Sequence, residues 1–215
     1  MFILPEMVVF IGGGKLNFET KWIGTILESE EYAFFEEYLN ADVYDCLESK
    51  INDWGQVTMW EACRDYAIGD YVLYNGSVYK FIGVDSTNVP FNDSINWEKA
   101  KRFVDDNLNK LWDRHLMTIL ATKIYMAAIP ASTYQVSAVG ATALTDTNDG
   151  LRGVTKAEIS FLMDSLGQRF YNKVQHMKNY ISNNLDTLTC FDSIGGCGDN
   201  GIRNEKKGST KIYFL

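Results

Sequence analysis

The side chains able to do chemistry are few in this chain. Four cysteines (Cys46, Cys63, Cys190, Cys197) and two histidines are its thiol and imidazole groups, the side chains best suited to zinc ligation or nucleophilic catalysis. No CxxC pair occurs, and the spacing of structural zinc sites is missing. The cysteines are therefore expected as buried or free thiols in a reducing compartment, with no metal bound. His115 lies on or beside an apolar stripe with no Ser, Cys or carboxylate at a useful spacing, so a core or boundary role is expected. Glu28, Glu30, Glu31, Glu36 and Glu37 read as a solvated helix face rather than paired acid–base catalysts, which need a shared pocket. Gly12-Gly13-Gly14-Lys15 lacks the Walker spacing and reads as a hinge. The polar run Asp85 to Asp93 lacks the loop glycine and closing glutamate of an EF-hand and reads as turn chemistry. HExxH and GxSxG are also absent. The expectation is a non-enzyme with no catalytic residue and no cofactor.

The formal charge of −8 argues against a general nucleic-acid or anionic-membrane binder, since phosphate binding needs clustered Lys and Arg. It suits a large partner with a basic face, and solubility explains it equally. The apolar start, Phe2 to Ile11, is interrupted by Pro5 and Glu6 and lacks the basic residues of a secretory leader. No run of about 18 apolar residues predicts a membrane span.

The elements that must carry any function follow from periodicity. Residues 1–11 read as an extended arm or strand. Trp22, Ile23, Ile26, Leu27, Phe34, Phe35, Tyr38 and Leu39 predict a helix over 19–39, and Asn40 to Asp42 a break and new N-cap before a short second helix. From Tyr71 to Ile82 the period changes to two, around Asn75-Gly76, the dipeptide of a type I′ hairpin turn. Residues 53–98 thus form a small antiparallel β domain inserted between helical segments 1–52 and 99–215. From Glu98 the helical pattern resumes, and Pro130 is expected to stop it near Ile129. Residues 130–153 read as a long loop. Thr155 and Glu158 form a capping box that opens one apolar stripe from Ile159 to Leu188. A glycine-rich stretch then leads to a β-prone tail, Ile212 to Leu215. The fold class expected is mainly α, a helical bundle with a long C-terminal helix and a small inserted β module.

The inserted segment resembles the small carbohydrate-binding modules carried by chitinases and cellulases. The resemblance rests on Tyr66, Gly69, Asp70, Val72, Tyr74, Gly76 and Tyr79, followed by Pro90 and Trp97, about a fifth of the chain. It implies sugar stacking on exposed aromatics in the loop after the second strand. Here that loop, residues 83–88, has no aromatic, and Tyr71, Phe81 and Phe91 are the candidate substitutes.

The whole layout resembles something different: the head-to-tail connector, or portal-adaptor, proteins of tailed phages, especially the ring proteins of crAss-like phages. The features are an acidic, mostly helical chain of this length and a Thr145-to-Gly150 turn ahead of a long amphipathic helix. This implies a structural virion protein, a homo-oligomeric, twelvefold ring below the portal, assembled in the host cytoplasm. Its partners would be the portal and other connector or tail proteins, with no specific nucleic acid and no membrane. The apolar termini and the 130–153 loop are the candidate contacts: Phe2, Ile3, Tyr134, Val136, Ile212, Tyr213 and Phe214. A carbohydrate- or cell-surface-binding module on a helical stalk is the alternative.

Overall fold

The computed structural model describes residues 1–12, 20–83, 90–137, 140–143 and 156–191. They are mainly α with a small β module. Helix α1 (Pro5–Gly12) occupies what the sequence suggests is an extended arm. Met7 and Val8 are fully buried rather than reaching outward, while Phe10 is half exposed. Helix α2 (Thr20–Tyr38) places Ile23, Leu27, Phe34 and Phe35 on one buried stripe. Asn40 caps α3 (Ala41–Glu48), its side-chain oxygen accepting from the Asp42 N–H at 3.2 Å.

The next helical run starts later than expected, because Trp97 to Lys99 form a strand. Asp105 accepts N–H bonds from Asn107 and Leu108 at 2.6 and 3.2 Å, opening α4 (Asp106–Leu111). A π turn at Trp112–Leu116 joins α4 to α5 (Met117–Thr133). Helix α5 passes through Pro130, which forfeits its own N–H bond while the residues after it can still bond back for one last turn.

The region expected as a loop begins instead with a hairpin, β5 (Tyr134–Ser137) paired antiparallel with β6 (Gly140–Ala143). Helix α6 (Lys156–Asn183) is 28 residues long, roughly 40 Å. Its proposed cap, Thr155, lies outside the described residues. The stripe continues past the helix end into short 3₁₀ turns, where Leu188 is buried. The α5 and α6 segments run antiparallel: His115 packs on Tyr180 with ring centroids 4.9 Å apart, and Met126 lies beside Gly167.

The β module is one four-stranded sheet, β1 (Val57–Met59), β2 (Tyr71–Tyr74), β3 (Ser77–Phe81) and β4 (Trp97–Lys99), in that order. The sheet is mixed rather than wholly antiparallel. β1 pairs parallel to β2 because the crossover through residues 60–70 returns the chain in the same direction. Asn75 and Gly76 turn the hairpin with φ of 48° and 72°. Gly76 is required twice over, since any side chain there would also meet the ring of Phe10 on α1.

Pleat alternation gives the sheet two buried faces. Leu73 and Val78 belong to the main helical core, while Val72, Tyr79, Phe81 and Trp97 form a second small cluster. The base of the insertion is closed by Ile51 bridging Phe103, by Asn52 N–H donating to Arg102 C=O at 2.8 Å, and by Val104 N–H donating to Lys50 C=O at 3.1 Å.

Cys46 on α3 and Cys190 are joined as a disulfide across 144 residues, which corrects the expectation of unpaired thiols for these two. Adjacent to it, Lys50 Nζ donates to Thr189 Oγ1 at 2.5 Å. Cys63 is a free, exposed thiol. Closing so long a loop restricts the unfolded chain, so Cys46→Ser should lower stability by about 2–5 kcal/mol. Denaturant titration of oxidised protein and variant checks this, with thiol titration before and after reduction counting the bond.

Candidate interaction surfaces

Residues 2 and 3 define the most unusual site in the molecule. Phe2 and Ile3 are both 1% exposed, packed among Phe35, Tyr44 and Phe103, so they are not the open contacts the sequence suggests. Their backbone explains the arrangement. Residues 1–4 precede α1, so the Phe2 and Ile3 N–H groups have no helical partner. Glu31, wholly buried on α2, accepts the Phe2 N–H on both oxygens (2.9 and 2.8 Å) and the Ile3 N–H at 2.7 Å. Glu31 is therefore not part of the solvated face read from the sequence. It falls four residues after Leu27 and three before Phe34, on the stripe itself, and that position is the signal periodicity offered. Arg102 completes the site: its Nη2 donates to the Met1 carbonyl, its Nη1 to Asn52 C=O at 3.3 Å, and its guanidinium lies 4.4 Å from the Trp54 ring centre.

Burial pushes the Glu31 carboxyl up to about 7, against the downward pull of the Phe2 and Ile3 N–H groups, the chain-start ammonium and Arg102. Burial likewise draws Arg102 down to about 10, leaving it protonated. Asn109, another buried polar residue, ties the turn before α4 by donating to Phe103 C=O at 2.7 Å and accepting from Phe103 N–H at 2.9 Å. These polar groups anchor backbone.

The aromatic candidates of the β module diverge. Phe81 is 2% exposed and packs on Trp97 with centroids 4.9 Å apart, so it cannot stack on a sugar. Tyr71 is half-buried against the main core, with Lys80 Nζ 5.8 Å from its ring centre. Phe91 falls in the 3₁₀ turn Pro90–Asn92, its side chain outside the described set. The exposed apolar residues at this end are aliphatic: Ile68, Ile82 and Ile95, 71%, 41% and 83% exposed. Backbone bonds bring their segments together, Gly69 N–H to Phe81 C=O and Ile82 N–H to Asn96 C=O, both at 2.8 Å. Asp70, exposed beside them, uses its carboxylate to hold the Ala67 N–H at 2.8 Å.

Several other titratable groups are engaged structurally. A shallow cleft of about 360 Å³ beside α4 is lined by Lys99, Lys101, Lys110, Asp106 and Asp113. Within it Lys99 pairs with Asp113 at 3.0 Å and Lys101 with Asp106 at 2.8 Å. His115 sits at the core boundary, as expected, held below its ordinary range by burial and then by the Arg114 and His176 charges. Among the described residues no group of three or more His, Cys, Asp or Glu could hold a metal ion. Among them, too, no helix is long and apolar enough to cross a membrane. Of the remaining candidate contacts, Tyr134 and Val136 lie on β5, while Ile212, Tyr213 and Phe214 lie outside the described residues.

Compared with protein-family models, curated proteins and solved structures, the chain finds no match.

A carboxyl whose folded value is raised stabilises the fold fully below its ordinary range, near 4.5, and loses that contribution as pH rises through about 7. Glu31→Gln keeps an acceptor for the two N–H groups without the buried charge. The variant should gain on the native protein by up to about 3 kcal/mol between pH 5 and pH 8. Glu31→Ala, leaving both donors unpaired, should cost about 2–4 kcal/mol. Paired denaturant titrations across pH check both, and parallel pH profiles for native protein and Glu31→Gln would refute the assignment.

Proposed function

We propose that this chain is a non-catalytic structural subunit of a virion head-to-tail connector ring, docked below the portal and linking capsid to tail. The ring is homo-oligomeric and twelvefold, assembled in the host cytoplasm and carried in the virion. Its partners are the portal and neighbouring connector or tail proteins. The observation that carries this reading is the exposure of Ile68, Ile82 and Ile95 on segments that backbone bonds join at one end of the sheet. A rigid aliphatic patch on a sheet anchored in the helical core is suited to contact with protein. The helical bundle with its long C-terminal helix, the net charge of −8 and the layout described above agree with the same assignment.

The alternative, sugar binding by the β module, has less support. Stacking on a pyranose ring needs an exposed aromatic face. Phe81 is enclosed and Tyr71 is half-buried under Lys80, while the open side chains are branched aliphatics that offer no such face.

Size-exclusion chromatography with light scattering, run with the portal ring present, tests the proposal. The expected result is comigration at a mass of twelve copies per portal, with ring density visible by electron microscopy. A chain that stays monomeric beside the portal yet is retained by a polysaccharide would overturn it. Ile82→Asp combined with Ile95→Asp should weaken portal association at least tenfold while shifting unfolding by less than about 0.5 kcal/mol, because both side chains are exposed.

A further inference from the structure

The β5–β6 hairpin poses a question that the rest of the fold does not answer. It is a two-stranded sheet whose outer edges pair with no other strand among the described residues. Two strands alone are marginal in water, and three or more are the usual minimum. Protein edges left open are normally blunted by Lys, Pro or a charge. Tyr134-Gln-Val-Ser137 and Gly140-Ala-Thr-Ala143 contain none of these.

The neighbourhood is apolar as well. Because His115 meets Tyr180 and Met126 meets Gly167, the antiparallel helices put Thr133 roughly level with residue 160. The hairpin therefore leaves α5 beside the first turns of α6, where Phe161 and Leu162 are 76% and 37% exposed. The same helix buries Phe170, Val174, Met177 and Ile181 further along.

We propose that residues Ile212–Leu215 of the same chain add to an open edge of this hairpin as a third strand, setting apolar side chains against Phe161 and Leu162. Ile-Tyr-Phe-Leu combines β-branched, aromatic and apolar residues in the order a short strand favours. Its attachment point, Cys190, is held to α3 by the disulfide at the far end of α6, roughly 35 Å from Phe161. Twenty residues, 192–211, separate the two, with glycine at 195, 196, 198, 201 and 208. A glycine-rich chain of that length has a root-mean-square span of roughly 25 Å and a contour of about 66 Å, so the hairpin is within reach. Such a tether supplies an effective concentration well above that of a second copy in dilute solution, and this selects the chain's own segment as the occupant.

Hydrogen exchange read by mass spectrometry tests this on the full chain and on a variant lacking residues 210–215. The amides of Tyr134–Ala143 should exchange at least about tenfold faster in the shortened chain, with α5 and α2 unchanged. The protection in the full chain should not vary with protein concentration. A Tyr213→Pro variant, which removes a strand donor without shortening the chain, should reproduce the loss. A synthetic peptide of residues 208–215, added in excess to the shortened chain, should restore protection. Equal exchange in full and shortened chains would overturn the proposal. So would protection that grows with concentration, since that places the strand in a second copy.

Discussion

Glu31 is taken wholly out of water in the middle of α2, and three N–H contacts from Phe2 and Ile3 compensate for the water it loses. Those bonds draw the first residues of the chain into the core, which puts the Met1 carbonyl within reach of Arg102. Arg102 is buried in turn, over Trp54 and against Asn52 C=O, at the base of the inserted sheet. One polar chain thus connects the start of the protein, the second helix and the neck of the β module. Truncating either residue would leave its own backbone partners, the Phe2 and Ile3 N–H groups or the Met1 and Asn52 carbonyls, stranded in a low-dielectric interior, where unpaired polar groups are most costly.

That constraint governs how the module behaves mechanically. Its neck is bonded through residues 50–54 and 101–104, one sheet face is continuous with the helical core, and Phe10 of α1 lies on the hairpin glycine. A patch at the far end of such a sheet, here Ile68, Ile82 and Ile95, is therefore presented in a fixed orientation. Pre-organisation of this sort reduces the ordering cost of any association made there.

Much of the local architecture is legible in the residues. Asn75-Gly76 encodes its turn because both positions need positive φ, and Asn40 encodes its cap because an amide oxygen two residues before an N–H can accept from it. The stripes of α2 and α6 follow the helical period, and the boundary place of His115 follows from the same spacing. The site residues are harder to read. Phe2 and Ile3 have the composition of a free apolar arm, and only the carboxylate 28 or more residues away turns them inward. Glu31 stands in a run of glutamates and differs from them by its phase on the helix alone. Phe81, a candidate substitute for the missing stacking aromatics, has the right residue type, while the pleat sends it inward.

Propensity, periodicity and turn chemistry, all written within a few residues, settle the mainly α composition, the hairpin and the presence of the last helix, though not where that helix ends. The parallel return of β1, the Cys46–Cys190 bond, the closed neck and the burial of Glu31 depend on pairs of residues far apart in the chain. Such pairs have no local signature, because their free energy comes from excluding water at a contact that exists only once the helices and sheet have packed.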